Sequence, residues 1–530
     1  MRQRECLILV LISILMGGCH AKRNSGSGSA GRTNFAEAAK SADARTAPTN
    51  AGRVEINRGR QPALPSRPSS GTRKQASTAL ASPQISRIRP CDIAAFPCSF
   101  DGVAEGSCDS CTTPPPDPNA AAGAGRIVEV VNDLIRVTNR AGAEQCGPIT
   151  LQHLLGSTND QLTDPRVQFD NVGQRFSLSV TVSHVSASDT PAMWVAASES
   201  DDPCGSWFIY RLTFHGDAYP TGTFLDFPML GQDTNALLIS LRSCLPNNDN
   251  CSGPIFTVFG LPKSTIYAGN HVDFNSFQVD SLTAPVTNAG QPMIASPVSF
   301  FLAAVPDTGY KLYRLTNSGG PGATLDKTTI SAPFSKPSRN VNEPGTIATI
   351  DPSDGNITSF PYFDGTFIWF THDGDDDGFP TVRYGAVDTF KNTVATAWAF
   401  HSGSSDDFNP SLAVAITPRG ETVFLNWVFT DSTAGTAASD VFAFGDASQP
   451  IEAIAGPGTI YVSGGVSNEC FPCDPQCAPC RFGDFSSVSV DASASGCAFA
   501  TQEYFGTDRK WRTRIEPIGQ CESVVSTSTR

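Results

Sequence analysis

The sequence predicts an all-β chain built as a radial repeat of short antiparallel sheets. Three observations carry that expectation. Four stretches share one pattern, an Asp followed by an aromatic residue or proline and then an apolar run: Asp164–Asp170, Asp226–Asp233, Asp407–Val414 and Asp484–Asp491. Their starts are separated by 62, 181 and 77 residues, the middle gap being about three units of 60 and holding weaker copies at Gln291–Ser296 and Phe360–Asp364. A period of that order marks one supersecondary unit copied around an axis or along a stack. From Asp164 onward, short alternating apolar runs are broken by Gly, Pro, Asn and Asp, and the one helical pattern is a short piece near Leu151–Leu155. Many strands without helices mean a sandwich, barrel or propeller. The long period selects a β-propeller, because radial repetition protects sheet edges and lets each unit bury one face on the next. Six or seven four-stranded blades fit, with seven preferred.

The chain divides as 1–19 signal, 20–90 linker, 91–125 cap, 126–518 propeller and 519–530 tail. Arg2, Arg4 and the apolar run Leu7–Met16 have the form of an export signal, too short to span a bilayer. Met16-Gly-Gly-Cys19 resembles a bacterial lipobox, which implies lipidation of Cys19. The alternative is simple secretion. Residues 20–90 are rich in Ser, Gly, Ala, Arg and Pro and are expected to be a disordered basic tether. Cys91–Pro118 is expected to be a Cys/Pro-rich cap. The hairpin pattern Arg126–Val131 and Leu134–Thr138, turning at Asn132-Asp133, is expected to complete a ring with the C-terminal blade.

Charge is strongly segregated. Residues 1–90 hold 15 Lys and Arg against 4 Asp and Glu, leaving 22 against 47 for the body. So acidic a body excludes nucleic acid as a partner, whose phosphates need a basic footprint. The basic tether suits anionic lipid headgroups. After Cys6 and Cys19, fourteen cysteines remain, an even number that fits disulfides in an oxidising compartment. Cys244 and Cys251 flank a turn and are expected to close it. Cys470, Cys473, Cys477 and Cys480 are expected to be disulfide-bonded rather than metal-bound, since their middle spacing is short for a zinc ribbon.

Two groups could carry chemistry. Asp373, Asp375 and Asp377, with Gly378, match the start of an EF-hand-like loop, so a structural Ca²⁺ is one reading; position 12 is Tyr384, and the competing reading is an acidic hairpin tip. In the last repeat, Asp484, Glu503 and Tyr504 are acid, base or nucleophile types, and Arg512 and Arg514 could clamp a carboxylate. The competing reading makes them turn braces and blade ion pairs. No other nucleophile, zinc or phosphate-loop motif occurs.

Ile127–Asn132, Asp164–Val167, Ala196–Pro203 with Gly205–Trp207, Asp226–Gly231, Arg481–Ser486, Thr501–Tyr504 and Trp511–Arg514 together resemble a family of exported bacterial β-propeller proteins, largely of unassigned function and distantly sialidase-like. Ser200–Trp207 is similar to a sialidase Asp-box, in which Asp braces a turn and Trp packs between strands. The resemblance implies a fold and leaves function to the site. The leading expectation is a monomeric, membrane-anchored or secreted binding or scaffold module, not an enzyme, whose ligand is a glycan or protein. The alternatives are an exported sialidase-like hydrolase and a structural envelope component.

Overall fold

In the computed structural model, the described residues are 23–35, 99–107 and 115–521, apart from short breaks at 158–159, 184, 217, 247–250, 252, 319, 321, 419, 468–479 and 493–495. The signal region, Cys19, Cys470, Cys473 and Cys477 lie outside them.

The strands form seven units of four antiparallel strands, with Thr287–Asn288 added in parallel beside the first strand of the fifth. In chain order the first strands of these units are Asn119–Gly123, Leu162–Asp170, Phe224–Gln232, Ala284–Pro285, Tyr362–Phe363, Asp406–Thr417 and Ser487–Val490. Each begins an antiparallel meander that runs outward, and we number the blades one to seven in that order. Inner strands of neighbouring blades pack on one another, and the seventh packs on the first. Ser487 and Ser489 hydroxyls accept from the Ala120 and Ala122 amides across that junction, at 2.8 and 2.9 Å. The molecule is therefore a closed β-propeller. Its core is a set of sheet-on-sheet layers, in which Trp207, Trp427 and Trp511 are fully buried. Burial of this kind is the main favourable term in folding.

Closure differs from expectation. The Arg126–Val131 hairpin supplies the second and third strands of blade one. The ring is closed by Phe100–Ala104, which pairs with Trp511–Gly519 as the outermost strand of blade seven. The 91–125 segment thus carries two propeller strands, and blade one starts at Asn119. Glu129 of blade one clamps the closing strand. Its carboxylate accepts from the Val103 amide at 3.1 Å and from the Thr513 hydroxyl. Gly102 makes room, since a Cβ there would sit 2.2 Å from Glu129 Oε1.

The linker expectation also fails locally. Arg23–Asn34 is a strand, antiparallel to both Ser206–His215 of blade two and Val272–Val279 of blade three. It welds those blades into one nine-stranded sheet. Alternating Ser, Gly and Ala is poor in strand propensity, but it fits a gap whose ladder groups on both sides need partners.

Candidate functional site

The repeat works by a register that the Asp positions only approximate. Asp117, Asp164, Phe227 and Asn409 have φ of 48, 60, 54 and 51°, and each precedes a proline at the mouth of an inner strand. The ladder slips between Thr163 and Arg166, Asp226 and Met229, and Phe408 and Ser411. A bulge leaves one residue unpaired, so a proline without N–H is tolerated there, and the strand is re-aimed. The result is a set of side chains turned toward the axis.

Arg166 occupies the axis. It is fully buried, with its guanidinium carbon 3.2 Å from the Phe485 ring centroid. Nη2 donates to the Thr358 carbonyl and Met229 sulfur at 2.9 Å each, and Nε to the Pro228 carbonyl at 3.3 Å. One side chain of blade two thereby touches blades three and seven and the segment entering blade five. Beyond it along the strand, Val167–Phe169 help line a small axial cavity of about 60 Å³ that opens to solvent, with Gln232, Tyr362, Ile416 and Val488.

Before Arg166 lies a polar belt. Asn132 donates to Asp117 at 2.8 Å and accepts from the Asp164 amide at 2.8 Å. Asp117 accepts from the Asp484 amide at 2.7 Å. Glu503 accepts from the Gly483 amide at 2.8 Å, and Asn409 donates to the Gly483 carbonyl at 2.8 Å. Blades one, two, six and seven are joined in this way. Burial pushes Glu503 well above the usual carboxylate range, with nearby Asp117 adding to the shift. Asp373 is pushed up to about 7 by burial, against hydrogen bonds from Ser353. Asp351 is pushed up to about 6 by burial, opposed by Arg481.

Arg481 is the accessible cation of this mouth. It pairs with Asp484 at 2.8 Å, the two side chains being 36 % and 25 % exposed. Its position is fixed from behind. Cys480 is disulfide-bonded, its amide donates to Thr349 at 2.6 Å, and its carbonyl accepts from Asp351 at 3.0 Å. That ladder sets Asp351 and Arg481 side by side.

The five residues of the catalytic reading do not converge. Asp484 and Glu503 belong to the mouth. Tyr504 donates to Asp101 at 3.0 Å and Arg514 pairs with Asp101 at 2.8 Å, tying down the closing outer strand. Arg512 pairs with Asp508 at 2.8 Å on its own hairpin. Strand alternation explains the split, since Glu503 and Tyr504 face opposite sides.

The Asp373–Gly378 stretch is a tight hairpin tip, with Asp377 and Gly378 at φ 55 and 84°. Asp375 accepts from the Gly378 and Ser338 amides at 2.8 and 3.0 Å, and Asp373 accepts from the Ser353 hydroxyl at 2.6 Å. Among the described residues, no group of three His, Cys, Asp or Glu side chains is arranged to hold a metal. Three disulfides are seen there: Cys146–Cys204, Cys244–Cys251 and Cys497–Cys521, consistent with an extracellular protein. In the Asp-box-like piece, Asp202 accepts from the Cys204 amide at 3.1 Å and Trp207 donates to the Pro203 carbonyl at 2.8 Å, so it braces a turn.

Sequence reasoning missed Arg166, Asp351 and Asn409. For Arg166 and Asn409 the signal available was the proline one residue after Asp117, Asp164, Phe227 and Asn409; Asp351 lies outside that repeat.

No protein-family model and no curated protein matches the sequence. Solved structures are similar only at the level of shape. An α-L-arabinanase of Penicillium chrysogenum, complexed with arabinobiose, is 10 % identical over 79 % of this chain and 98 % of its own, with TM-score 0.38. Trypanosoma rangeli sialidase is 9 % identical over 72 % of this chain and 57 % of its own, with TM-score 0.36. An apocarotenoid oxygenase/RPE65 chimera is 10 % identical over 69 % and 73 %, with TM-score 0.38.

Proposed function

We propose that this chain is an exported β-propeller that binds a hydroxyl-rich ligand, a glycan, at the strand-entry mouth of its axis. The observation that supports this most is the partly exposed Arg481–Asp484 pair, mounted on the Cys480–Thr349 ladder beside Asp351. A fork of fixed N–H donors next to carboxyl acceptors suits vicinal hydroxyls. Asp351, at about 6, is partly protonated near neutrality and can donate as well as accept. The buried belt behind it holds these groups in place, and preorganisation of that kind lowers the entropic cost of binding. The test is a glycan array probed with the full chain and with Arg481→Ala. The reading expects bound glycans whose signal the variant loses. No bound glycan, or equal signal from both proteins, would sink it.

A second reading is hydrolysis of a glycosidic bond, favoured by one observation. Asp484 is ion-paired to Arg481, whereas Asp351 beside the same cation is pushed up. Two carboxyls whose environments separate them can divide the roles of base and acid. Turnover on a glycoside panel that disappears in Asp484→Asn would select this reading over simple binding.

A further inference from the structure

The strand Arg23–Asn34 shows what the rim of this propeller can accept. It lies between two blade edges, with Ser25 opposite His215 and Asn34 opposite Ser206 on one side, and Arg23 opposite Phe277 and Gly28 opposite Val272 on the other. Without it, two long edges would present unmatched ladder groups, Ser206–His215 being rich in large apolar residues. Open edges of that kind recruit other strands.

The occupant is held mostly by its backbone. Its sequence from Ser25 to Gly31 is Ser, Gly and Ala, and a Cβ at Gly28 would meet Leu212 Cδ2 at 2.5 Å, so the slot admits only small residues there. Of the side chains described in this segment, Phe35 is the most deeply buried. Phe35 is fully buried, and its amide donates to the Gly205 carbonyl at 2.9 Å. Arg32 pairs with Glu199 on the surface, which adds little. Among the described residues, the chain next enters the propeller at Phe100, on blade seven. Residues 36–99 lie between, and at full extension that length reaches roughly 200 Å. A connection of that covalent length is long enough for the strand to reach the slot of a neighbouring copy.

We propose that the paired edges of blades two and three form a strand-acceptor slot that takes residues 23–35 from a second copy of this chain as well as from its own. The recognition is β-augmentation: a main-chain ladder on both sides, a small-residue stripe at Gly28, and one aromatic plug at Phe35. Exchange of an identical element between copies adds no new kind of contact, so it is a low-cost route to association. At high local density, as on a cell surface, exchange would link neighbouring molecules.

A cross-link between two full chains tests this. Ser29 lies opposite Arg211; Ser29 is exposed and Arg211 is half-buried. One chain carries Ser29→Cys, the other Arg211→Cys, and the two are co-incubated under mild oxidation. The proposal expects a covalent heterodimer on a non-reducing gel that is lost when the donor also carries Gly28→Pro. The double variant Ser29→Cys/Arg211→Cys in one chain is expected to cross-link internally. If the double variant does not close, the slot does not hold this strand and the proposal fails. If it closes but mixed chains stay monomeric, exchange is overturned. A heterodimer that survives Gly28→Pro would also overturn it, since the link would not then run through the strand.

Discussion

At the axis, Arg166 is fully buried and reaches acceptors or rings on blades three and seven and on the segment entering blade five. At the rim, Arg512 is 29 % exposed and reaches Asp508 on its own hairpin. Both side chains are arginines with well-formed contacts, yet they do different things. The first occupies space no other side chain fills and satisfies carbonyls that water cannot reach. The second trades hydration for an ion pair at almost no gain. The axis is where the blades are joined to one another, and the rim is where each blade or edge is finished locally or by a remote strand.

The largest expected effect comes from breaking the axis. Arg166→Ala leaves a cavity and uncovers Pro228 and Thr358 carbonyls, and should cost about 3–5 kcal/mol in denaturant unfolding. A loss below about 1 kcal/mol would mean the blades do not depend on this plug. Next, Phe35→Ala empties the anchor of the rim strand. It should cost about 3 kcal/mol of docking and speed amide exchange along Ser206–His215, while the inner strands stay protected. Uniform loss of protection would mean that rim and axis are one cooperative unit.

A third effect is pH-dependent and belongs to the mouth. Asp373 and Asp351 are pushed from an ordinary value of 3.8 up to about 7 and about 6 by burial. The unfolded chain therefore releases these protons first. Their stabilisation is fully present below about pH 4 and is lost as pH rises toward 7, at up to about 1.4 kcal/mol per pH unit for each group. Asp373→Asn should flatten that slope in a series of unfolding curves; an unchanged slope would show that Asp373 is ionised in the native state. The smallest effect is at the rim, where Arg512→Ala should change stability by less than about 1 kcal/mol.

The same division explains what could be read in advance. Inner strands carry their own signals, because a bulge, a turn-bracing Asp and an apolar run are written within a dozen residues. Asp170, Asp233 and Asp364 each accept from two amides of the following turn, at 2.6–2.9 Å. Those features made the repeat visible, although aligning on Asp rather than on the residue before proline left the copies at Asp226 and Asp407 one and two positions out of step with that at Asp164. The outer strands carry no such marks. Phe100–Ala104 and Arg23–Asn34 become strands because partners far along the chain leave ladder groups for them, which local propensity does not encode. For the same reason the mouth was only half legible. Asp484 and Glu503 stand in a recognisable repeat, whereas Asp351 arrives on an irregular segment held by Cys480.

The most direct test of the axial mouth as the working face compares the full chain with Arg481→Ala and Arg512→Ala on one glycan array. The account predicts that the first variant loses the bound signal and the second keeps it. Retention by Arg481→Ala, with loss in Arg512→Ala, would move the site from the axis to the rim and contradict the account.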